Sequence, residues 1–125
     1  MPVNVSWDDD ARTLLCFRIA GHWTWQELNW AWLECMAMMN NVPHKVNIIV
    51  DITEMVNMPM DLIMRTVQLI RCQPHNTGIS VIATDNGFVN MLFENLRRII
   101  PRESSFLRAV PNVEAARQTL ATRVN

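Results

Sequence analysis

A chain of 125 residues has room for one domain, taken here as residues 1–125, and little more. Half of its residues are hydrophobic and its formal net charge is -1. It can therefore bury a core, and it lacks the basic excess that binding to a nucleic-acid backbone normally needs. No apolar run reaches the roughly 20 residues of a membrane span. The start, Met1-Pro2-Val3-Asn4-Val5, lacks the basic and then apolar pattern of a secretory signal. Cys16, Cys35 and Cys72 are odd in number, widely spaced and set in apolar patterns. They read as free buried thiols, which places the chain in the reducing cytoplasm.

Val3, Val5 and Trp7 alternate with polar residues, and Leu15, Phe17 and Ile19 do so again after Asp8-Asp9-Asp10. Two strands and a hairpin are expected, stopped at Gly21. Thr24 and Glu27 form the sequence of a capping box. The helix it opens should run to about Asn40, with Trp25, Leu28, Trp32, Cys35, Met36 and Met39 on one stripe. Pro43 lies beyond its end.

Val46 to Val50 is nearly all β-branched, as in a strand buried on both faces, and Asp51 is expected to close it. A loop with Thr53, Glu54 and Asn57 follows. Pro59 and Asp61 then suit the first turn of a second helix, with Ile63, Thr66, Val67 and Ile70 inward and Arg65 and Gln68 outward. Ile79 to Ala83 is a further short strand. Asp85 or Asn86 can cap a third helix with Phe88, Leu92, Leu96 and Ile99 inward, ended by Pro101. Ser105 to Val110 reads as the last strand. Asn112 caps a final helix with Val113, Ala116 and Leu120 inward. The order β-β-α-β-α-β-α-β-α predicts an α/β domain: a mostly parallel five-stranded sheet with four helices.

The chain resembles the STAS-type domains, the fold of anti-sigma-factor antagonists, and especially the SpoIIAA-like group of small stand-alone bacterial proteins. Three segments carry the resemblance: Arg18-Ile19-Ala20-Gly21 leading into Trp23-Thr24-Trp25-Gln26-Glu27-Leu28; Ile48-Ile49-Val50-Asp51-Ile52-Thr53; and Val110-Pro111-Asn112-Val113-Glu114-Ala115-Ala116. It covers nearly the whole chain. It implies a regulatory module that works by protein contact. Phosphorylated members carry a Ser after the central strand; here the stretch is Met58-Pro59-Met60-Asp61, without a hydroxyl. The charge-adding switch of those members therefore lacks its acceptor.

Several residues allow more than one chemistry. Asp51 and Asp85 both follow apolar strands, so both are expected at the carboxyl edge of the sheet, where open α/β folds bind ligands and where a cation would find oxygens. Each can equally cap a loop or helix. Cys72-x-x-His75 is a single ligand-like pair, and a zinc site needs three or four ligands. Arg97, Arg98 and Arg102 could hold an anion or complement a helix end. Trp30 falls opposite the core stripe and, with Trp23 and Ala37, suggests a small apolar patch for a partner or a second copy. Met38, Met39, Met55, Met58, Met60 and Met64 crowd one region, as in an adaptable pocket or an irregular core.

The expected function is a non-enzymatic regulatory or protein-interaction module without cofactor or metal, acting on a protein partner or as a homodimer. Its expected surface comprises Asp51, Thr53, Met58, Met60, Asp61, Trp23 and Trp30. The alternatives are a carrier of a small apolar or lipid-like ligand, suggested by the methionines, and a metal-dependent hydrolase built on Asp51 and Asp85.

Overall fold

The computed structural model describes residues 2–56, 65, 68–69, 72, 74–99 and 107–121. Strands β1 (Val3–Trp7) and β2 (Leu14–Gly21) form the opening hairpin. Helix α1 (Trp25–Asn40), strand β3 (Val46–Met55) and strand β4 (Thr77–Ala83) follow. Helix α2 (Gly87–Ile99), strand β5 (Leu107–Val110) and helix α3 (Val113–Ala121) complete the order.

The five strands form one sheet in chain order, β1-β2-β3-β4-β5. The sheet is mixed, which corrects the expectation of a mostly parallel one: β1 runs antiparallel to β2, while the ladders β2–β3, β3–β4 and β4–β5 are parallel. Three helices are described where four were expected. The expected second helix, from Pro59, falls largely outside the described residues, as does the start of the last expected strand at Ser105.

Local chemistry sets the element ends. In the hairpin loop the Asp9 carboxylate accepts from the N–H groups of Thr13 and Leu14 at 2.9 and 3.1 Å, and Arg12 takes a left-handed φ of 59°. Gly21 ends β2 at φ 64°, a conformation that costs a side-chain-bearing residue energy. The capping box is present: the N–H of Glu27 donates to the Thr24 hydroxyl at 3.2 Å, and the N–H of Thr24 donates to the Glu27 carboxylate at 3.0 Å. Asn86, rather than Asp85, caps α2 by accepting from the N–H groups of Phe88 and Val89. Asn112 accepts from the N–H of Ala115 at the start of α3.

The sheet separates two cores. On one face Val3, Leu15, Phe17, Ile19, Val46, Ile48 and Ile52 meet Leu28, Ala31, Cys35 and Met39 of α1, and Ile82 of β4 and Val89 of α2 join them. Trp32 lies edge-on to Phe17, with ring centroids 6.3 Å apart. On the other face Ile49 and Val81 meet Ala116 and Leu120 of α3. Each fully buried aliphatic side chain here contributes roughly 1.5–3 kcal/mol. Val46 to Val50 thus serves both cores, as its β-branched run requires. The inward residues of α2 differ from expectation: Val89 is fully buried, whereas Phe88, expected inside, is exposed.

Candidate functional site

Helix α1 carries the most distinctive surface. Its core stripe points at the sheet, with Leu28, Ala31, Cys35 and Met39 buried. The helical period then puts Gln26, Trp30, Leu33 and Ala37 on the opposite side, and all four are exposed. Trp30 and Leu33 are each 58% exposed. Helix α1 contains no Lys or Arg, and its two carboxylates are Glu27 and Glu34. Glu27 is engaged in the capping box, and Glu34 is exposed on the outer side of this helix. An apolar centre among amides with little charge has the composition of an interface core rather than of open surface.

Trp23 does not belong to this patch, although it was expected there. It is buried, with its ring packed edge-on against Trp25 at 4.8 Å between centroids. The Arg65 guanidinium lies 4.8 Å from the centre of the Trp25 ring, so Arg65 reaches back to α1 instead of pointing away. The aromatic residues at the start of α1 are therefore structural. Leu33 was the residue missed: three positions after Trp30 on the outer stripe, it could have been found by following the period outward.

Asp51 and Thr53 form a second feature, on the sheet. Asp51 does not close β3, which continues to Met55 because β2 stays paired with it as far as Gly21. The Asp51 carboxylate accepts from the Thr53 N–H at 3.1 Å and from its hydroxyl at 2.6 Å. Across the β2–β3 ladder, Arg18 stands opposite Asp51 with Nε 3.7 Å from its other oxygen, and also pairs with Glu54. Its own strand thus supplies the buried carboxylate with one hydroxyl and one N–H, and the neighbouring strand supplies one cation. Asp85 is exposed beyond the end of β4, and Asp51 stands opposite Ala83 within that ladder. Ala83 is the last residue of β4, so Asp51 stands level with the carboxyl end of that strand and Asp85 follows two residues beyond it.

The thiols divide by environment. Cys35 is fully buried, and burial first, then the nearby Glu34 charge, pushes its pKa up to about 12. Cys16 is half-buried and also raised, by burial and then by the charges of Asp8 and Asp51. Cys72 is exposed, which corrects the expectation that all three thiols are buried. His75 is also exposed. Among the described residues no group of three or more His, Cys, Asp or Glu side chains is arranged to hold a metal ion. Met58, Met60, Asp61 and Met64 lie outside the described residues, as does Arg102. Among the described residues no helix is long and apolar enough to cross a membrane.

Comparison with models of known protein families, with curated proteins and with solved structures finds no match.

Proposed function

We propose that this chain is a STAS-like interaction module that regulates by contact rather than by catalysis, with the outer side of α1 as its working surface. The observation that carries the reading is the pair Trp30 and Leu33, each 58% exposed at the centre of a charge-poor helix side. Tryptophan is enriched where binding energy concentrates, and leaving it in water forgoes the burial of a large ring. The STAS-like assignment draws support from the order of elements and from a central strand that carries Asp51. The contact mechanism draws support from the Asp51 carboxylate, whose partners Thr53 and Arg18 leave it committed to the sheet. No hydroxyl stands in Met58-Pro59-Met60-Asp61, so control by a phosphate there is not part of the reading.

Pull-down and sedimentation with the wild type and Trp30→Ala test it. The reading expects an associated species, either a second copy or another protein, that Trp30→Ala weakens. A chain that stays monomeric and captures nothing in a Trp30-dependent way counts against it.

A further inference from the structure

We infer that the free edge of β1 pairs with β1 of a second copy, antiparallel about a two-fold axis at Val5, so that two sheets join into one. This goes beyond the preceding proposal and uses a different surface, the sheet edge rather than the outer side of α1.

The hairpin's own bonds define the edge. Strand β1 ends the sheet, and among the described residues no strand lies on its far side. Within the hairpin the Ala20 N–H donates to the Pro2 carbonyl and the Asp8 N–H donates to the Leu14 carbonyl, each at 2.8 Å. Antiparallel bonding recurs at every second residue, so Asn4 and Ser6 also bond inward, to Arg18 and Cys16. Val3, Val5 and Trp7 therefore turn their N–H and C=O groups outward, and no other described backbone group bonds to them. The complement of such an edge is an extended strand. Native edges are commonly blunted by charge, proline or a bulge. Val3–Trp7 has no charged residue and no proline, and its register with β2 is unbroken.

Strand β1 is its own complement. With the axis at Val5, Val5 stands opposite Val5 of the second copy, and Val3 opposite Trp7 of the second copy. Each outward N–H of one copy then meets an outward C=O of the other. A shift of one pair either way would set Trp7 or Val3 against residues beyond the strand. Side chains directly opposite share a face. Val3, Val5 and Trp7 all belong to the core under α1, and Val5 and Trp7 are only half-buried, so apolar meets apolar there. On the other face exposed Asn4 meets exposed Ser6 of the second copy. No charge opposes a like charge. Beyond the strand Asp8, already gripped by Arg117, comes opposite Pro2 of the second copy. The axis stands perpendicular to the sheet and consumes both β1 edges, so the pair closes and no third copy adds there.

The experiment is sedimentation velocity of the full chain over a concentration series, with circular dichroism melts to follow folding. Five paired residues make a small interface, so the wild type should pass reversibly from monomer to dimer as concentration rises. Val5→Pro removes the N–H at the axis without touching a bond to β2, and should raise Kd by about 10-fold or more. Asn4→Lys with Ser6→Lys sets like charges opposite each other across the axis, as does Asn4→Glu with Ser6→Glu. Each charged variant alone should stay monomeric where the wild type is dimeric, and an equal mixture of the two should pair, a rescue that damage to the fold would not produce. A wild type that is monomeric throughout, a dimer indifferent to Val5→Pro, or charged variants that stay apart when mixed overturns the inference. Should Val5→Pro fail to fold, the mixed pair decides. A dimer lost with Trp30→Ala and kept with Val5→Pro also overturns it, and leaves the outer side of α1 as the interface.

Discussion

Arg117 of α3 grips Asp8, just past β1, through two nitrogen–oxygen contacts of 3.0 and 2.9 Å. The two residues are 109 positions apart, so this fork ties the last helix to the first hairpin. The hydrogen bond to Asp8, and then its charge, raise the Arg117 pKa. Paired geometry of this kind is the stronger form of ion pair, although about half of the arginine side chain is exposed and water screens it. Arg117→Ala should therefore lower stability by about 0.5–1 kcal/mol in urea denaturation. Arg117→Lys, which keeps the charge and loses the fork, should restore less than half of that. Raising the salt concentration should shrink both differences.

Asp9 should give the hairpin an acid-sensitive contribution. Its slight burial would raise its pKa, but hydrogen bonds from the Thr13 hydroxyl, the Thr13 N–H and the Leu14 N–H outweigh that and hold it below the ordinary 3.8. A carboxylate with a lowered folded pKa stabilises fully above its unfolded pKa, and that stabilisation is lost as pH falls through the folded value. Asp9→Asn should thus cost about 1 kcal/mol or less near neutral pH, reduced by exposure. The stability gap from wild type should narrow below about pH 4. Urea melts across pH measure this, and a gap that widens in acid would contradict it.

Gly78 and Asn47 form a coupled pair where the β3–β4 register shifts. The Asn47 side-chain oxygen accepts from the Ile79 N–H at 2.8 Å and occupies the place that a Cβ at Gly78 would take. Gly78→Ala should cost about 1–3 kcal/mol, because Asn47 must leave and the Ile79 N–H loses its partner. Asn47→Ala removes the obstruction. The double variant should lose less than the sum of the single losses, a coupling that a double-mutant cycle reads directly.

Features set by neighbours in sequence were legible. Thr24 and Glu27 lie three residues apart, and the capping box follows from that spacing alone. The β-branched run from Val46 also reads directly, with Ile48 in one core and Ile49 in the other. Asp51 was misread because the group that holds it in mid-strand, Arg18, comes from another strand. Phe88 was misread because α2 carries two overlapping apolar lines, and only docking on the sheet chooses Val89 over Phe88. Trp23 was expected in the surface patch as the residue just before the helix, yet it is buried, with Trp25 packed edge-on against it. The outward position of Trp30 was legible for the opposite reason: α1 has one clear apolar line, and position 30 is far from it.

The strands lie side by side in the order in which they occur along the chain. Every new strand therefore adds to a free edge left by the one before, and none has to slip between two that are already paired. A chain emerging from the ribosome can lay down its sheet in the direction of synthesis, beginning with the hairpin, whose contacts close over the shortest loop. The exposed row of N–H and C=O groups then advances with the growing chain. At no stage does an early strand stay unpaired while awaiting one made much later, which shortens the time in which neighbouring unfinished chains could pair with it.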